Sequence, residues 1–197
     1  MKRCTNIHEL KEFQSKYEAI SGLALPYEYL ESSDVYVYQQ NNRIIGGFVL
    51  GYQLPFRTVE VFASEINRPN LRRVFNKEQF CEICCFWVDK AYRKKLLVSV
   101  TVWLKMAYTV KTQKQPFVLF GTNSKGLTKM YGYPKNSCLY HKDHVSNKHT
   151  FVFLARRTDF FGGVWEIVVS KLLKFERNRN IEKKPKLHNA LSHEISI

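Results

Sequence analysis

From Phe80 to Val88 the residues are aromatic, β-branched or Cys, with Glu82 as the only charge, and such a run predicts a strand buried on both faces. Beyond Asp89 the period changes. Leu96, Leu97, Val100, Val102, Trp103, Leu104 and Ala107 recur at helical spacing and predict a helix over Ala91 to Val110 laid across the sheet. Between strand and helix lies Tyr92-Arg93-Lys94-Lys95. A basic turn delivered by a strand to a helix N-terminus suits a phosphate, because unpaired backbone N–H groups and the helix dipole both favour an anion there.

The remaining pattern supplies elements around this pair. Asn6 and Glu9 have capping-box spacing, and Ile7, Leu10, Phe13, Tyr17 and Ile20 form an apolar stripe, so a helix is expected up to Ser21-Gly22. Asp34 to Gln39 alternates around Tyr36 and Tyr38, Asn41-Asn42 tolerates positive φ, and Arg43 to Tyr52 returns as an apolar strand; together they predict a hairpin. Arg57 to Phe62 reads as a short strand. Arg68, Arg72 and Arg73 read as a solvated loop or helix face, with contacts to an anionic substrate as the alternative. Pro116 to Phe120, Ser137 to His141 and Thr150 to Ala155 read as strands, and a short helix ending at Met130 follows the first of them. Gly162-Gly163 is expected to break the chain before a helix from Val164 to Phe175 with Trp165, Val168, Val169, Leu172 and Leu173 inward.

Several of these stretches resemble one family. Val88-Asp89-Lys90-Ala91-Tyr92-Arg93 is similar to the V-x-P-x-Y-R lead into the coenzyme A loop of the GNAT acyltransferases, whose R/Q-x-x-G-x-G/A signature lies on a strand-to-helix turn. Arg93-Lys94-Lys95-Leu96-Leu97-Val98 occupies that signature, with Leu96 and Val98 where the family carries small residues. Asn42 to Phe48 resembles the family's g-x-i-v-G-x strand. Gly121-Thr122-Asn123 through Tyr131-Gly132-Tyr133 resembles its "N-x-x-A, helix, Y-x-x-x-G-F" segment: Asn123 matches the Asn that touches the cofactor arm, Gly126 the small position and Gly132-Tyr133 the Gly-Phe. Thr128 stands where the family has the Tyr that protonates the departing thiolate; Tyr131 is the nearby substitute, packing under the last strands being its other reading.

The resemblance covers roughly Asn6 to Ala155. It implies an α/β (α+β) fold with a mixed, mostly antiparallel central sheet of about six or seven strands and flanking helices, in which the strands on either side of Pro116 splay to open a cleft. It also implies that acetyl-CoA or another acyl-CoA is held by Val88, Arg93, Lys94, Lys95, Leu96, Val98 and Asn123. Glu82 lies eleven residues before Arg93, the spacing at which the histone-acetyltransferase branch carries its general base. A lone carboxylate on an apolar strand should have a raised pKa, which suits a base near neutrality; an outward Glu paired with a Lys is the other reading.

Composition adds boundaries. With 197 residues and 45% hydrophobic content the chain can bury one substantial core, and we expect a single domain over residues 1–176 followed by a basic, flexible tail over 177–197. Leu96 to Leu104 is too short to cross a bilayer and no apolar signal core follows Met1-Lys2-Arg3, so the expected location is the cytoplasm. Five Cys, three of them at Cys81, Cys84 and Cys85, fit reduced thiols; alternation along a strand would send Cys84 and Cys85 to opposite faces, which argues against zinc. His141, His144 and His149 read as solvated loop residues, and Cys138 with His141 is a weak nucleophile pair. A net charge of +14 attracts acidic partners: nucleic acid, an anionic membrane, an acidic acyl carrier protein or a phosphate-bearing cofactor.

Three functional classes follow. The first is an acyltransferase passing an acyl group to a small-molecule or peptide amine. The second is a catalytically silent GNAT-like binding domain, to which Leu96 and Val98 point. The third is a basic nucleic-acid-binding protein, which lacks any recognisable helix-turn-helix, zinc-finger or RNA motif.

Overall fold

The Phe80–Val88 run does form a central strand, and the rest of the sheet is built outward from it. The computed structural model describes residues 1–53, 56–60, 79–123, 137–143 and 149–191. In chain order the elements are β1 (Lys2–Arg3), α1 (Ile7–Ser21), α2 (Tyr27–Glu31), β2 (Asp34–Gln40), β3 (Arg43–Gly51), α3 (Arg57–Glu60), β4 (Phe80–Val88), α4 (Lys90–Arg93), α5 (Leu96–Lys111), β5 (Phe117–Thr122), β6 (Ser137–Asp143), β7 (His149–Arg156) and α6 (Arg157–Leu191). The strands make one seven-stranded sheet in the order β1-β2-β3-β4-β5-β7-β6. Only β4 and β5 are parallel, and α5 is the crossover between them. This is the mixed, mostly antiparallel sheet expected.

Local chemistry explains the clear elements. Asn6 caps α1 by accepting from the Glu9 N–H at 2.9 Å, and Gly22 ends the helix in the left-handed conformation. Asn41 and Asn42 both take positive φ and close the β2–β3 hairpin. Because β4 is central, its two faces bury different clusters. Phe13, Tyr17, Leu30, Val37, Ile44 and Trp87 close the α1–α2 side. On the other side Val100, Trp103, Met106 and Val110 of α5, with Phe160, Val164 and Val168 of α6, pack on Phe48, Ile83, Val118 and Phe120. Each such side chain contributes about 1.5–3 kcal/mol by leaving water.

Several expectations change. Arg57–Glu60 is a helical turn and not the start of a strand, because the buried carboxylate of Glu82 receives the N–H groups of Arg57 and Thr58. The helix α6 runs on through Gly162-Gly163: packing of Phe160, Val164 and Val168 outweighs the cost of about 1 kcal/mol per glycine. That packing also sets its rotation. Val168 is inward, whereas Trp165, Val169, Leu172 and Leu173, expected inward, face solvent. The helix extends to Leu191, past residue 176 where the tail is expected to begin.

Candidate functional site

The parallel pairing of β4 with β5 runs from Phe80 opposite Phe117 to Ile83 opposite Phe120, and there it stops while both strands continue. The cause lies in β4. Gly47 stands opposite Trp87 and Val49 opposite Cys84, so two residues of β4, Cys85 and Phe86, oppose the single Phe48. This is a β-bulge, with Cys85 in the left-handed region at φ 52°. The extra residue bends β4 away from β5. A cavity of about 310 Å³ occupies the splay. It passes through the sheet: Tyr17, Arg57 and Thr58 line it on the α1–α3 side, and Met106, Phe120 and Phe160 on the α5–α6 side.

Behind Thr58 stands Glu82, fully buried. Its Oε1 accepts from the Thr58 N–H and hydroxyl, and its Oε2 accepts from the Arg57 N–H at 3.0 Å and the Tyr29 hydroxyl at 2.8 Å. Gly51, paired with Glu82 across β3–β4, makes room for this: a Cβ there would lie 2.7 Å from the Tyr29 oxygen. Burial pushes the Glu82 carboxyl above its ordinary range, and the donors from Thr58, Tyr29 and Arg57 only partly offset it. Burial likewise pushes the Tyr29 phenol far up, with Cys84 and Glu82 adding to the shift, so Tyr29 stays a neutral donor. Its hydroxyl also lies 3.1 Å from Cys84 Sγ.

At the splayed end of the sheet the chain leaves β4 through the basic turn. Asp89 caps α4 by accepting from the Ala91 N–H at 2.9 Å, and Arg93 Nε donates to the Val88 carbonyl at 2.6 Å, which fixes the turn against the strand end. Arg93, Lys94 and Lys95 are exposed, and Lys95 Nζ lies 4.6 Å from the Tyr92 ring centroid. The N-cap position of α5 is Lys95, which makes no side-chain capping bond. Ser99 donates to the Lys95 carbonyl, so the N–H groups of Leu96, Leu97 and Val98 open the helix with no carbonyl of their own helix to receive them. Leu96 packs back on the core, Val98 is half-buried, and Leu97 is 78% exposed. Across the splay, Asn123 follows β5 and lines the cavity.

No protein-family model and no curated protein matches the sequence. Solved structures do match the fold. FeeM, an N-acyl amino acid synthase from uncultured soil microbes, aligns with a TM-score of 0.58 at 12% identity over 81% of this chain and 95% of its own. BjaI, a CoA-dependent acyl-homoserine lactone synthase solved with SAM and isopentyl-CoA, gives 0.53 at 12% over 82% and 83%. Arabidopsis thaliana NAA60 in complex with acetyl-CoA gives 0.51 at 11% over 79% and 98%. The chain has the GNAT fold. On that fold, Val88, Arg93, Lys94, Lys95, Leu96, Val98 and Asn123 come to one end of the sheet, around the diverging ends of β4 and β5.

Other expected residues fall elsewhere. Tyr131, Gly126, Gly132 and Tyr133, the short helix to Met130, and Arg68, Arg72 and Arg73 lie outside the described residues, as does His144. Cys138 and His141 are on β6, and His149 opens β7. Among the described residues no three His, Cys, Asp or Glu side chains group as metal ligands. Cys84 and Cys85 do not alternate as expected, because the bulge turns both toward the α1 side, where they pack with one cluster. Thr58, Tyr29 and Gly51 have no local sequence signal; only the fold brings them to Glu82.

Proposed function

We propose that this chain is an N-acyltransferase that takes an acyl group from acyl-CoA, or from an acidic acyl carrier protein, and passes it to a small-molecule or peptide amine. The observation that carries this reading is the through-sheet cavity between two parallel strands whose diverging ends include the β4 end that leads into an uncapped basic helix start. The N–H groups of Leu96 to Val98 and the side chains of Arg93, Lys94 and Lys95 hold the donor's phosphates, and Asn123 flanks the arm that enters the splay. The apolar wall of Ile83, Met106, Phe120 and Phe160 supports an acyl chain longer than acetyl.

In the transfer step the amine nitrogen bonds to the thioester carbon and the C–S bond breaks. The amine proton passes to the Thr58 hydroxyl as that hydroxyl gives its own proton to Glu82, so Glu82 acts as base without entering the cavity. Its raised pKa suits this task. Tyr131 returns a proton to the departing thiolate.

Calorimetry with CoA, acetyl-CoA, decanoyl-CoA and a phosphopantetheinyl carrier protein tests the reading. Binding of at least one, weakened by a few kcal/mol in the Arg93→Ala, Lys94→Ala double variant, is expected for loss of charge-assisted hydrogen bonds. No heat with any of them overturns the donor assignment and leaves the silent-domain reading, which Leu96 and Val98 at the small-residue positions favour.

A further inference from the structure

The β4 bulge does more than open the sheet. In a regular strand neighbouring side chains point to opposite faces. Here the left-handed Cys85 brings two sequential thiols onto one wall of the cavity, with Cys85 Sγ 3.4 Å from Cys84 Sγ. Cys84 is half-buried and Cys85 only 7% exposed, so the pair meets solvent through the cleft. We propose that Cys84 and Cys85 form a dithiol site for a trivalent arsenical.

The spacing discriminates among ligands. A disulfide needs the sulfurs at about 2 Å, well inside the observed separation. Zinc has bonds of about 2.3 Å to sulfur and wants four ligands in a tetrahedron, and no third His, Cys, Asp or Glu completes such a group among the described residues. A linear two-coordinate ion needs the sulfurs on opposite sides of it. A pyramidal three-coordinate centre bonds both sulfurs from one side at angles not far from a right angle, and its third substituent projects into the cavity. Trivalent arsenic has this geometry.

The chemistry is a condensation and balances without a redox partner. An arsenoxide R–As=O meets two thiols; two As–S bonds form, two S–H bonds and the As=O bond break, and the oxygen leaves with both protons as water. Neutral thiols suffice. Burial pushes the Cys84 thiol well up, with Cys85 and Glu82 adding to it, which makes the pair slow toward reagents that need a thiolate but does not obstruct this reaction. Among the described residues, the Cys4 and Cys81 thiols, pushed up to about 12 by burial, have no second thiol in contact with them.

The site exists whether or not the chain transfers acyl groups; only its competition with a donor rests on that reading. The test treats the full chain with one equivalent of phenylarsine oxide and follows intact mass and peptide mapping. One phenylarsenic per chain, on the peptide holding Cys84 and Cys85, released by 2,3-dimercaptopropanol but not by a monothiol, is expected. Cys84→Ser and Cys85→Ser should each weaken capture at least about tenfold, while Cys81→Ser and Cys138→Ser leave it unchanged. If a Ser variant fails to fold, the wild-type peptide map still decides. No adduct, or an adduct mapped to Cys4, Cys81 or Cys138, overturns the proposal. Adduct formation in a protein that binds no acyl-CoA keeps the dithiol site and removes the transferase; loss of capture in the presence of bound acyl-CoA places both ligands in one cleft.

Discussion

Both oxygens of Glu82 already accept two donors each, so this side chain is an anchor for α2 and α3 as well as the proposed base. Glu82→Gln replaces one accepting oxygen by an NH2 group and leaves that oxygen's donors without a partner. We expect a loss of about 1–3 kcal/mol in urea denaturation together with a fall in turnover of about 10²-fold or more. Thr58→Val separates the two roles: the backbone N–H to Glu82 stays while the hydroxyl relay goes, so turnover should fall with stability changed by less than Glu82→Gln changes it. A Thr58→Val enzyme with full kcat sinks the relay. The pH dependence follows from the raised pKa. The folded state holds the Glu82 proton more tightly than the unfolded one, so this group's contribution to stability is full below the ordinary carboxylate range and is lost as pH rises through the raised value. Wild type should lose stability relative to Glu82→Gln across that window, and the ascending limb of the rate profile should lie above the ordinary carboxylate range. A flat difference curve contradicts both.

At the scale of elements, the hairpin, β4 and α5 were legible because their signals are local: Asn41-Asn42 at a turn, an unbroken apolar run, and a helical repeat. The phase of α6 and the identity of α3 were not, since one is set by contacts with α5 and the other by a carboxylate on a distant strand. The bulge was hidden for a related reason, because Cys84-Cys85 is compatible with regular alternation and only the β3 register shows the extra residue. Of the expected site, the basic turn could be read from sequence and its cleft from the family resemblance, while the surroundings of Glu82 required the fold. Gly51 is the element-level hinge of this arrangement. A Cβ there meets the Tyr29 oxygen at 2.7 Å and Glu82 Oε2 at 3.4 Å, so Gly51→Ala should push α2 off the carboxylate. The expected outcome is a lower Tm and a Glu82 pKa moved further up, since a donor to the charged form is lost. An unchanged Tm would mean that Tyr29 has room to turn aside and contributes little as a donor.

For the whole molecule the question is where the charge of +14 acts. Residues 178–197 carry four Lys or Arg against Glu182 and Glu194, so most of the excess belongs to the preceding chain. The packing of α6 on α5 uses Phe160, Val164 and Val168, and the helix has already turned Leu172, Leu173 and Phe175 to solvent at 38%, 60% and 52% exposure before residue 178 is reached. Among the residues whose side chains are described, the inward apolar contacts of α6 end at Val168, and the basic helix start lies on another element. A chain ending at Arg177 should melt within about 2 °C of the full protein, since about 1 kcal/mol shifts Tm by roughly 2–4 °C at this size. It should also keep its affinity for acyl-CoA and the salt dependence of that affinity, because Arg93, Lys94 and Lys95 remain. Affinity for duplex DNA or RNA is the contrasting measurement. If the full chain binds nucleic acid with a steep salt slope and the shortened chain does not, the final residues are a recruitment segment and the nucleic-acid reading gains.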